Sequence, residues 1–145
     1  MDFLNYFHSL VRYALLLALL YAFFVNLRGV LQQRPILTGE RTVTILAMVL
    51  CHVQLVLGAL LLALNWGAYN NPDAIAFGRF VKFEHSVPMV LAIALITVGR
   101  MLSKKAQTER AKQMRIVIFY GIGLLLILAS IPWPFRNIGY NFGWL

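Results

Sequence analysis

Four long apolar runs decide what this chain can fold into. They extend from about Tyr6 to Leu27, Thr42 to Trp66, Phe83 to Leu102 and Ile116 to Ile131. Each is close to the ~20 residues that an α-helix needs to cross a ~30 Å hydrocarbon layer, the fourth being the shortest. None shows the alternation of apolar and polar residues that marks the strands of a membrane barrel. With 61% hydrophobic and 12% charged residues, the chain holds more apolar surface than a soluble core of its size could hide. The expected fold is an all-α membrane protein. One domain, residues 1–145, forms a four-transmembrane up-down-up-down helix bundle, because short connections make neighbouring helices antiparallel. The opening Met1-Asp2-Phe3-Leu4-Asn5 carries no basic segment, and no small-x-small site follows the first run. That run is therefore expected to stay as a helix rather than leave as a signal peptide.

The net charge of +8 would point to nucleic acid in a soluble protein. Here the basic residues flank apolar runs, so they read as orientation signals and no nucleic-acid partner is expected. Arg28, Arg34 and Arg41 lie between the first two runs. Arg100, Lys104, Lys105, Arg110, Lys112 and Arg115 lie between the last two. Only Arg12, Arg79, Lys82 and Arg136 remain for the other side, which places both termini outside. Tyr6, Trp66, Tyr69, Trp133, Tyr140 and Trp144 form an aromatic belt on that outer side. In the outer connection from Gly67 to Lys82, Asn70-Asn71-Pro72-Asp73 is a turn cluster and Ala74 to Phe80 suits a short interfacial helix. Pro132 and Pro134 end the fourth helix sharply. The lone Cys51, inside an apolar run, has no disulfide partner and reads as a small packing residue.

All three histidines fall in or beside these helices, and ionisable groups at such depth are costly enough to suggest function. Histidine is also the usual axial ligand of haem iron. His8 is twenty residues from Arg28, about 30 Å from the basic edge. His85 is nineteen residues from Lys104, about 28 Å. His52 is eleven from Arg41, about 16 Å, and so roughly 12 Å deeper than the other two. His8 and His85 are thus the level-matched pair for one haem or metal. A helix beginning nearer Ile36 would raise His52 toward them. Arg12, four residues after His8, shares its helix face. Arg12 and Arg136 are candidates for the haem propionates, or else for headgroup contacts. Interhelical hydrogen bonding is the bland alternative for all three histidines.

Glu84 could orient an imidazole or neutralise Arg12. Pro88 is expected in the first turn of the third helix, where its missing N–H costs nothing. Gln54 and Gly58, four apart, read as an ordinary helix contact, and so do Gly99, Gly121 and Gly123. No zincin motif, CxxC pair, phosphate loop or nucleophile elbow occurs.

The pattern His8-Ser9-Leu10-Val11-Arg12-Tyr13, His52-Val53-Gln54-Leu55 with Gly58, Glu84-His85, and Ser130-Ile131-Pro132-Trp133-Pro134-Phe135-Arg136 resembles a family of short four-helix bacterial membrane proteins. That family is found especially in the Bacteroidetes group and is labelled cytochrome b by similarity. The resemblance spans nearly the whole chain, and the Pro-Trp-Pro-Phe-Arg ending is its most specific part. A looser likeness links the helix-start histidines to one four-helix half of the haem A synthases. The resemblance implies a multi-pass protein of the bacterial inner membrane that holds haem b. It would carry electrons between quinone and a membrane redox partner, with His8 and His85 as axial ligands. The alternative is a cofactor-free accessory subunit of a larger membrane complex.

Overall fold

Between Asp2 and the end of the first apolar run no proline interrupts the chain, and the helix runs on through its basic flank. The computed structural model describes residues 2–136 and shows α1 at Asp2–Gln32. This helix reaches five residues past the expected Leu27, because Arg28 and the polar residues after it are as compatible with helix as the apolar ones before. It stops where Gln33 adopts φ 54°. The N–H of Arg34 then bonds the carbonyl of Gly29 (3.2 Å) and that of Gln33 bonds Val30 (3.4 Å), which closes the last turn with a left-handed residue.

The second helix, α2, spans Thr38–Leu64 and starts four residues before the expected Thr42. Glu40 explains the early start. Its carboxylate accepts the N–H of Leu37 (3.1 Å), so one of the unpaired donors of the first turn is satisfied. Arg34 grips the same carboxylate with two bonds, of 2.9 and 2.5 Å.

The third crossing is longer than expected. Two 3-10 turns, Ala68–Asn70 and Pro72–Ala74, lead into α3 (Ile75–Arg79), a π-helical turn (Phe80–His85) and α4 (Ser86–Lys105). Pro88 is the third residue of α4, in its first turn as expected, but that turn is not a free helix start. It lies inside a continuous helical stretch from Pro72 to Lys105. A proline there removes the bond to the carbonyl four residues back and crowds it, and a widened π turn just upstream relieves both problems. Ser86 completes the turn by donating its N–H and its Oγ (2.7 Å) to the Val81 carbonyl.

The fourth crossing, α5, spans Glu109–Ser130, opening seven residues before the expected Ile116. Thr108 caps it, accepting from the N–H of Ala111 (3.2 Å). Glu109, Arg110, Lys112 and Arg115 are thus helical residues, not loop residues.

Each of the four stretches is long and apolar enough to cross a membrane. In the bundle α1 packs beside α2 and α5, α4 packs beside α5 and α2, and α1 and α4 face each other diagonally. The shared core holds Leu15, Leu19, Ala47, Cys51, Ile96, Ile116, Tyr120 and Ile127. Cys51 is buried and unpaired, in line with a packing role. α4 and α5 approach closely: a Cβ on Gly99 would clash with that of Phe119. Small residues let helix backbones close in this way where lipid gives no hydrophobic drive. Outward-facing Leu17, Val56 and Leu125 are each about two-thirds exposed, a surface suited to contact with a lipid bilayer.

Buried polar groups close the basic end of the bundle. Asn26 donates to the carbonyl of Ala22 (2.7 Å) and to Thr44 Oγ1 (3.3 Å), and Thr44 passes its own proton to Glu40 O (2.8 Å). Tyr120 OH donates to Thr44 O (2.8 Å), and Gln113 donates to Arg34 O (3.0 Å). Glu109 accepts from the backbone N–H of Ile36 (3.1 Å), tying the first connection to α5.

Candidate functional site

At the opposite end, all four crossings contribute to one polar cluster. His8 projects from α1 toward α2, where Gly58 leaves it room: a Cβ on that glycine would lie 3.2 Å from the imidazole Cε1. One helical turn away, Gln54 Nε2 donates to the His8 backbone carbonyl (2.9 Å) and faces His8 Nε2 at 3.2 Å. The carbonyl bond fixes the amide, since only its nitrogen can donate there. His8 Nε2 must then accept, and the proton of the neutral ring sits on Nδ1. Both His8 Nδ1 and Gln54 Oε1 are buried without a hydrogen-bond partner.

His85 closes the π turn, diagonally across the bundle from α1. Its Nδ1 lies 2.9 Å from the carbonyl of Ser130, the last residue of α5. A carbonyl only accepts, so Nδ1 donates and the lone pair of the neutral imidazole is on Nε2. Arg12 lies within electrostatic reach of both His8 and His85, so the structure gathers these three residues. Arg12 also donates to Tyr13 OH (3.1 Å) and lies 4.7 Å from that ring's centre. Arg136 enters less directly. Its Nη1 donates to the carbonyls of Ala129 (2.7 Å) and Ile131 (3.3 Å), capping α5. Its guanidinium covers the Phe80 ring at 5.2 Å, and Phe80 stacks on His85 at 6.3 Å between centres.

His52 stands apart. It is exposed, with Nδ1 bonded to Met48 O (2.8 Å) and Nε2 facing Thr97 Oγ1 (3.4 Å). Gly58, beside His8, is six residues along α2, about 9 Å; Thr97 is twelve residues along α4 from His85, about 18 Å. Residues two apart on a helix point about 200° apart, so His52 faces away from the side where Gln54 meets His8. Even with α2 starting early, at Thr38, His52 does not join the pair. Glu84 is not a partner of the imidazoles either: it pairs with Arg79 at 3.3 Å on the exposed side. The carbonyl of Ser130 takes the orienting role instead.

The cluster thus includes three residues that the sequence did not single out for it: Gln54, Ser130 and Phe80. The spacing of Gln54 and Gly58 was a usable signal, but ordinary helix contacts share it. Among the described residues no three His, Cys, Asp or Glu side chains converge. Two imidazoles on diagonal helices suit a planar cofactor that brings four ligands of its own. Tyr140 and Trp144 of the expected aromatic belt lie outside the described residues; Tyr6 and Trp66 are more than half exposed. Comparison with protein-family models, curated proteins and solved structures found no match to this chain.

Proposed function

We propose that this chain is a multi-pass protein of the bacterial cytoplasmic membrane and that its histidine end holds a b-type haem for electron transfer. It crosses up, down, up and down, with both termini outside and the basic end in the cytoplasm. One observation carries the haem reading: the two buried atoms without partners, His8 Nδ1–H and Gln54 Oε1, are a donor and an acceptor on touching side chains. A turn of the His8 ring that joined them would satisfy both and free Nε2. His8 would then match His85, whose Nδ1–H is already held by a carbonyl. A backbone or amide oxygen on Nδ1 is the usual support for an imidazole that ligates through Nε2.

When bound, haem supplies a site that accepts and returns one electron at a time, and two imidazole ligands suit that role. The residues of this chain hold, orient and exclude. His8 and His85 would hold the haem iron. Ser130 and Gln54 fix their rings, Phe80 walls the site, and Arg12 provides positive charge for a propionate. The partners would be quinone and a membrane redox protein.

A second reading, a cofactor-free subunit of a larger complex, draws on α2. Only 17% of its spanning window is buried, against 44% for α1, and the exposed face carries His52. An oxidised and reduced optical spectrum of the purified protein separates the two. The haem reading expects the reduced α-band of a low-spin b haem. A colourless protein from haem-replete cells, with no pyridine haemochrome, would leave the subunit reading in its place. For topology, a reporter active only in the cytoplasm should be silent when fused after Leu145, and activity there would reverse the orientation.

A further inference from the structure

The basic end holds a second feature, independent of the histidine cluster. All four crossings border a cavity of about 190 Å³ there. At roughly 30 Å³ per water, that is space for about six waters or one tetrahedral anion with a few of them. Its wall carries Arg41 from α2, Arg100 and Lys104 from α4, and Lys112 from α5. Lys112 is neutralised by Glu109, which it meets at 2.5 Å. Arg41, Arg100 and Lys104 form no ion pair among the described residues, and although Glu109 is within electrostatic reach of Arg41, the cavity faces an excess of positive charge. Buried Asn26 and Ser103 add polar surface on the inner side. Basic residues that only set orientation would spread over the interface and snorkel outward. Here basic residues from three helices border one partly open cavity instead, Arg100 half-buried and Arg41 and Lys104 exposed. Arg100 is only partly exposed, which raises the cost of leaving its charge without an anion.

We propose that this cavity binds a phosphate group. Arg100 and Lys104 would grip its oxygens, Arg41 would close the open side and Ser103 would donate a hydroxyl proton. Arginine offers paired donors that match phosphate oxygens, and lysine acts as a point charge beside it. The phosphate could belong to an anionic lipid headgroup or be free in solution.

The test uses the full chain in neutral detergent. Native mass spectrometry measures retention of phosphatidylglycerol against phosphatidylcholine, and equilibrium dialysis measures labelled inorganic phosphate. Preferential, saturable binding of phosphatidylglycerol supports a lipid source; saturable phosphate binding without lipid preference supports a soluble one. Either should weaken about fivefold for each charge removed, and so about 25-fold in Arg100→Gln with Lys104→Gln. Arg41→Gln, a change at an exposed side chain, should give the single-charge loss with an unaltered unfolding curve, which guards against misfolding of the double variant. Lys105→Gln, adjacent but outside the cavity, should change binding less than twofold. The proposal fails if neither ligand binds preferentially, or if Lys105→Gln weakens binding as much as Lys104→Gln does.

Discussion

Both ends of the bundle bury polar groups, and they do so with opposite results. At the basic end every step of the network closes. Asn26, Thr44, Tyr120 and Gln113 each find a partner on another helix or connection, and Glu40 is shared by Arg34 and a backbone N–H. At the histidine end His85 and Gln54 find partners, yet His8 Nδ1 and Gln54 Oε1 are left over. A buried polar atom without a partner costs free energy that a purely structural contact has no reason to bear. On the proposed reading, the difference separates a polar network that finishes the fold from one arranged to hold a cofactor.

That contrast can be broken by mutation. The largest expected effect is at the basic end. Glu40→Ala removes a two-bond grip on Arg34 and the support of the α2 start, and should lower stability in detergent more than either change below. A fully buried pair would lose more, but the Arg34 side chain is 25% exposed. Reversible unfolding in mixed micelles measures this, and a loss under ~0.5 kcal/mol would show that the network is ornamental. Asn26→Leu should cost about 1 kcal/mol, the upper half of the usual range for an interhelical hydrogen bond in a membrane. The smallest effect is expected from Gln54→Leu in cofactor-free protein. It deletes one satisfied donor but also one orphaned acceptor, so stability should stay within about 0.5 kcal/mol of the parent. If Gln54→Leu proved as damaging as Asn26→Leu, the two ends would be alike and the contrast would collapse.

The crossings themselves were legible because an apolar run of this length has few alternatives to a membrane-spanning helix. Their boundaries were not. Charge was taken as the edge of each helix, whereas Glu109, Arg110 and Lys112 continue α5 with Thr108 as the true cap. Pro88 reads in the sequence as part of an opening turn; that this turn follows a π turn depends on how α3 joins α4. Within the cluster, residue type pointed to His8, His85 and Arg12. It could not reveal Ser130, whose contribution is a backbone carbonyl that any residue supplies. The basic residues were readable as an orientation signal. That Arg41, Arg100 and Lys104 converge on one cavity is set by the rotation of two helices, α2 and α4, which runs of apolar residues leave open.

The central claim is that His8 and His85, and not His52, hold a haem at the end where buried polar atoms lack partners. The reduced-minus-oxidised spectrum of three variants, each matched for protein and haem supply, tests it most directly. His8→Ala and His85→Ala should each abolish the low-spin spectrum, while His52→Ala should keep it, because that imidazole faces away from the pair and meets Thr97 about 18 Å along α4 from His85. Loss of the spectrum in His52→Ala, with His8→Ala unaffected, would contradict the assignment.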